Sequence, residues 1–164
     1  MSDEEEDALL DTIRAERRPR SARHKDIVAE RIEAVATGDA RGRARALLAI
    51  AKQPQADERL LAACERLLHD RTTTAFGLPE QIGELRWAAA DAVCALRTAL
   101  GRAVPVIIED GFVPLSPSGV AALAEQTGVP ASNRPGVDGA IETLQRISAA
   151  GRLPRARIVR EPDR

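Results

Sequence analysis

Leu85-Arg86-Trp87-Ala88-Ala89-Ala90-Asp91-Ala92-Val93-Cys94-Ala95-Leu96 is the stretch on which the reading of this chain turns. Leu85, Ala88, Ala89, Ala92, Val93 and Leu96 recur at helical spacing and make one apolar stripe. Most of that stripe is alanine, so the backbone of a neighbouring helix can come unusually close to it. A seam of small side chains ending in larger ones suits a helix packed between other helices in a stacked array.

Composition points the same way. Hydrophobic residues make up 44 % of the 164 residues but aromatics only 2 %, with no Tyr. The core must then be built from Ala, Leu, Val and Ile, which favours close-packed helices over a sheet sandwich. A net charge of −1 argues against bulk electrostatic binding to nucleic acid and leaves only a local basic patch open. Lys25 and Lys52 are the only lysines; the excess of Arg and Ala suits a high-GC, bacterial coding sequence. Cys64 and Cys94 lack metal-ligand spacing and fall far short of a disulfide framework. The start, Met1 to Asp7, is acidic where a signal peptide is basic, and no apolar run reaches membrane-spanning length. A soluble cytoplasmic protein is expected.

Seven helices are predicted. The first, Asp3 to Arg17, has capping-box spacing at Ser2 and Glu5 and is stopped by Pro19. The second, Ser21 to Ala36, presents Val28, Ile32 and Val35. The third, Arg41 to Gln53, presents Ala44, Leu47, Leu48 and Ala51. The fourth, Asp57 to His69, presents Leu60, Leu61, Cys64, Leu67 and Leu68. A polar stretch from Asp70 to Thr74 leads through Gly77 and Pro79 to the fifth, about Glu80 to Leu100. Beyond Gly101, the run Val104 to Ile108, a turn at Glu109-Asp110-Gly111-Phe112, and Val113 with Leu115 predict a short hairpin. Ser116 with Pro117 starts a sixth helix that Gly128 ends. The seventh buries Val137, Ala140, Ile141, Leu144 and Ile147 and stops at Gly151. The tail, Arg152 to Arg160, is basic with a strand-like centre. These segments divide the chain into an arm (1–20), helical repeats (21–101), an αβ cap (102–151) and a basic tail (152–164).

The middle four helices read as two copies of one unit. Sliding Ala44, Leu47, Leu48 and Ala51 onto Ala89, Ala92, Val93 and Leu96 aligns the stripes and puts Arg41 on Arg86. Leu85 to Leu96, an aliphatic-Arg pair followed by an Ala-Ala-x-Ala-aliphatic run, is similar to the inner helix of a HEAT repeat, and the resemblance extends over about 24–100. It implies a mainly α fold: a short HEAT-like stack of α-hairpins with a small C-terminal cap of a hairpin plus helices. It also implies a non-catalytic scaffold or adaptor that binds a partner protein through the inner helix faces.

Candidate partner-binding residues follow from this. Trp87, Asp91, Cys94 and Thr98 leave the apolar stripe of their helix. Trp87, with Arg86, Asp91, Cys94 and Arg97 beside it and Arg41 and Arg45 on the companion helix, either anchors a partner or packs beneath a terminal helix. A second reading concerns the last third. Val120 to Pro130 resembles the first helix and turn of a bacterial helix-turn-helix, and Arg134 to Gly151 resembles the recognition helix of a winged-helix regulator. Arg134, Arg152, Arg155, Arg157 and Arg160 would then contact phosphates. Asp138 and Glu142 on the outer face of that helix oppose this. No catalytic set, phosphate loop, metal site or cofactor is expected, and His24 and His69 read as surface or helix-end residues.

Overall fold

A computed structural model describes residues 20–162, with side chains from Ile27 onward. The predicted helix Asp3–Arg17 and the side chain of His24 lie outside the described residues. The chain runs α1 (Arg20–Ala36), α2 (Ala40–Lys52), α3 (Glu58–Glu65), β1 (Thr73–Phe76), β2 (Gln81–Glu84), α4 (Leu85–Ala99), β3 (Val106–Gly111), α5 (Pro117–Thr127), α6 (Gly136–Ala149) and β4 (Ala156–Arg160). The described residues thus form six helices and two small antiparallel sheets, β1–β2 and β3–β4.

Short polar side chains start α2, α3 and α5. Asp39 Oδ1 accepts from the Gly42 amide at 2.7 Å, Asp57 Oδ1 from Arg59 at 2.8 Å, and Ser116 Oγ from Gly119 at 3.1 Å. Each satisfies an amide that has no partner within its own helix. Gly128 ends α5 with φ +72°, a conformation that glycine adopts without steric cost.

Helices α1 to α4 pack against one another. The most extensive contact is α2 against α4; α3 also lies on α4, and α1 touches both α2 and α3. Val28, Val35, Leu47, Ile50, Leu60, Leu61, Leu96 and the stripe of α4 fill this first cluster. All six stripe residues are fully buried, and Ala90, Trp87 and Cys94 on the other faces of α4 are buried too. A helix covered on nearly every side must be thin, which is what the alanines supply.

Two segments differ from the predicted ones. The polar stretch and the start of the predicted fifth helix form the hairpin β1–β2, with Thr73 opposite Glu84 and Phe76 opposite Gln81. Thr73, Thr74 and Phe76 favour extended backbone, and strands this short, joined through Gly77 and Pro79, read from sequence as loop. Helix α4 therefore starts at Leu85 rather than Glu80. The predicted hairpin at 104–115 is replaced by a long-range pair: β3 runs on through Gly111 and pairs with the tail strand β4, Val106 opposite Arg160 and Ile108 opposite Ile158. Leu115, expected in that hairpin, instead bridges Ile82 of β2, through Ile82 N–H to Leu115 O at 2.6 Å. Two exposed edges are paired in this way, and local turn signals cannot reveal a partner far downstream.

A second cluster lies where α5 and α6 sit on the β1–β2 hairpin, around Ala75, Ile82, Phe112, Val120, Ala140 and Leu144. Gly139 allows the chain before α6 to close on that helix, since a Cβ there would lie 1.9 Å from the Arg134 carbonyl oxygen. No helix among the described residues is long and apolar enough to cross a membrane.

Candidate functional site

Helix α2 is less fully covered than α4. Its Ala44, Leu47 and Ile50 are buried, but Leu48 and Ala51 are only half-buried and face open space. Arg41, Arg45, Leu48 and Lys52 follow one another at helical spacing along this open face. Across from them projects the tip of the β1–β2 hairpin, where Gly77 takes φ +80°, the Leu78–Pro79 peptide is cis, and Leu78 is 94 % exposed.

Two adjoining cavities share the walls Leu48, Lys52, Gly77 and Leu78. The first, about 500 Å³, adds Arg41, Arg45, Ala49, Phe76 and Glu80. The second, about 700 Å³, runs along α4 past Asp91, Cys94, Ala95 and Thr98 to Arg160 on β4. Together they form a groove along α2 and α4, with Leu78 lining both of its halves. Arg41 is held by the Glu80 carboxylate at the rim.

Strand β4 shapes the far end. Arg160 Nη1 lies 3.1 Å from Asp91 Oδ1, and its guanidinium carbon is 4.6 Å from the centre of the Trp87 ring, a cation–π stack. The Cys94 thiol donates to the Arg160 carbonyl oxygen at 3.4 Å. Burial pushes the Cys94 thiol up from its ordinary value and keeps it protonated. Trp87 Nε1 and Arg160 Nε are buried without a hydrogen-bond partner among the described residues.

The residues expected at a partner site are therefore only partly together. Arg41 and Arg45 line the first half of the groove, and Asp91 and Cys94 the second. Trp87 is 3 % exposed and lies under Arg160, so of its two alternatives the packed one is observed, with strand β4 rather than a terminal helix as the cover. Arg97 reaches Glu65 on α3 at 2.9 Å.

Arg86 is a correction: it is buried, and each of its guanidinium nitrogens donates inside the molecule. Its Nη1 and Nη2 donate to the Glu109 and Asp110 carbonyls at 2.8 and 2.6 Å, and its Nε to Glu84. Glu84 is fully buried, with Arg71 Nε 3.6 Å from its other oxygen. Burial pushes the Glu84 carboxyl above its usual range, against the pull of Arg86 and Arg71. This cluster ties β2, the start of α4 and β3 together.

The arginines of the DNA-binding reading do not assemble. Arg134 lies 3.7 Å from Asp138 on its own helix, Arg152 donates to the Thr127 carbonyl at the end of α5, and Arg160 is in the groove. Arg155 and Arg157 are exposed. Among the described residues no group of three or more His, Cys, Asp or Glu is placed to hold a metal ion.

Leu48, Lys52, Phe76, Leu78 and Glu80 of the groove are not among the residues expected at a partner site, and Leu48 reads in the sequence as part of an apolar stripe. The one available signal was Leu78, an aliphatic side chain at the centre of a Gly-Leu-Pro turn, where burial is hard to achieve. No protein-family model, curated protein or solved structure matches the chain.

Proposed function

We propose that this protein is a non-catalytic interaction module, a small scaffold or adaptor that takes a segment of a partner protein into the groove between α2, α4 and the β1–β2 tip. The observation that carries the reading is Leu78. A leucine 94 % exposed at the end of a hairpin, over a groove floored by Leu48 and Ala51, is an anchor in want of apolar cover. Helices α2 and α4, packed side by side, fit the HEAT-like reading of 21–101. The only thiol in the groove, Cys94, is buried, protonated and engaged with Arg160, which suits recognition better than nucleophilic chemistry. Two free, buried cysteines agree with a cytoplasmic setting.

DNA binding gains less support. A winged helix needs its first helix packed against the next two, whereas α5 and α6 rest on the β1–β2 hairpin.

The test is an affinity purification from native cells with the wild-type chain, Leu78→Asp and Val113→Asp. Both sites are exposed apolar positions, but Val113 is not among the groove's lining residues. Loss of the same partner from Leu78→Asp and its retention by Val113→Asp is expected. Equal recovery with both variants would take the groove out of the interaction.

A further inference from the structure

The first half of the groove has a chemistry that narrows its occupant, on the footing that the groove takes a protein segment as proposed. Its charged walls are Arg41, Arg45 and Lys52 against the single carboxylate of Glu80. Glu80 is committed to Arg41, while Arg45 and Lys52 make no ion pair among the described residues. An excess of positive charge is thus concentrated in one concavity of a chain whose net charge is −1. Seven residues of helix separate Arg45 from Lys52, an axial distance of about 10 Å. Leu48 lies between them on the same face, with Leu78 across the cavity.

The geometry points to an acidic segment of a partner protein as the occupant: two carboxylates reaching Arg45 and Lys52, and an aliphatic side chain between them held by Leu48 and Leu78. In extended backbone side chains alternate between faces, so residues i, i+2 and i+4 share one face over about 13 Å, which the long Arg45 and Lys52 side chains can meet. The recognised pattern is acidic, aliphatic and acidic residues at alternate positions. The apolar strip between the cations explains why a peptide fits better than a phosphate backbone. Nucleic acid would leave Leu48 and Leu78 uncovered, while an acidic-aliphatic peptide satisfies both kinds of wall. Charge–charge attraction here speeds encounter and selects the partner's sign, while the aliphatic contact supplies the hold.

The experiment uses the full chain and a fluorescein-labelled peptide carrying glutamate, leucine and glutamate at alternate positions, read by fluorescence anisotropy. Two control peptides replace the glutamates by lysine or the leucine by alanine. The expected result is binding of the acidic-leucine peptide about tenfold or more tighter than either control, weakening with added salt. The Arg45→Glu/Lys52→Glu variant should lose about tenfold or more for that peptide. Both side chains are exposed, so an unchanged thermal melt is expected of it. Leu78→Ala, an independent variant on another element, should also weaken it. Equal binding of the lysine peptide, or unchanged affinity in the double charge variant, overturns the acidic assignment. So does duplex DNA displacing the peptide, or self-association of the chain that the charge variant abolishes. If none of the peptides binds but Leu78→Asp still loses its cellular partner, the acidic assignment fails and the interaction reading stands. If Leu78→Asp keeps its partner, the interaction reading itself fails.

Discussion

Around α4, helices α2 and α3, strand β3 and the β1–β2 hairpin all contribute cover, and the helix is buried on all but the side where Asp91, Ala95 and Thr98 line the groove. Helices α5 and α6 are placed differently. They meet each other and the hairpin along one side and leave the remainder to solvent, so that only Val120 and Ala124 of α5 are buried. The first arrangement demands thin side chains at close approach. The second accepts ordinary amphipathic helices. Substitutions near α4 should therefore be costly in either direction, loss or gain of volume, while the α5–α6 layer can relax around a change.

The largest expected effect lies in the first region, at the cluster that ties β2, the start of α4 and β3 together. Arg86→Met removes the donors to the Glu109 and Asp110 carbonyls and leaves Glu84 buried without its nearest cation. A loss of about 3–5 kcal/mol is expected from denaturant unfolding. A near-neutral result would mean that β3 and the hairpin are held by packing alone.

Truncation of one leucine in each cluster tests the contrast directly. Leu96→Ala and Leu144→Ala both empty fully buried sites. Leu96 is walled by several elements, so about 4 kcal/mol is expected there, against about 2–3 kcal/mol for Leu144, whose neighbours can close in. Equal losses would dissolve the distinction between a rigid and a yielding layer.

Overpacking sharpens it from the opposite side. Ala89→Leu adds volume at a fully buried stripe position and should cost about 1–3 kcal/mol, seen as a lower urea midpoint. A neutral outcome would mean that α4 can draw away from its neighbours.

The smallest effect is a pH dependence. Burial raises the Glu84 carboxyl in the folded protein above its ordinary value of 4.5. A raised acid contributes stability that is fully present below the unfolded value and is lost as pH rises through the folded one. Glu84→Gln has no proton to lose. The wild-type chain should thus lose stability relative to Glu84→Gln as pH rises from the ordinary value of 4.5 through the raised one, measured from paired denaturant curves. A difference that stays flat across that range would mean the ion pairs cancel the cost of burial.

Helix periodicity made much of the first region legible: the Val28 and Val35 face, Leu60, Leu61 and Cys64, and the whole stripe of α4 are buried as their spacing predicts. The cap at Ser116 was equally plain, because a cap is a local contact. The groove was not legible in the same way. Leu48 and Ala51 match buried Val93 and Leu96 in the aligned stripes, yet α1, α4 and β1 cover α2 without closing over the face that carries them, so its stripe is only partly covered. Arg41, Arg45, Asp91 and Cys94, which line the groove, could be singled out because they leave or flank a stripe. Leu78 and Lys52 depend on which loop stands opposite.

The order of residues by itself determined where helices form, which faces are apolar, and that α4 must be thin enough to be surrounded, since these depend on contacts within a few positions along the chain. Tertiary structure alone decided that β3 would pair with β4, that Trp87 would lie under Arg160, and that a hairpin tip would overlook α2. Each of those joins residues far apart in sequence. Which distant edge or ring meets which depends on the free energy of the whole fold, not on any local pattern.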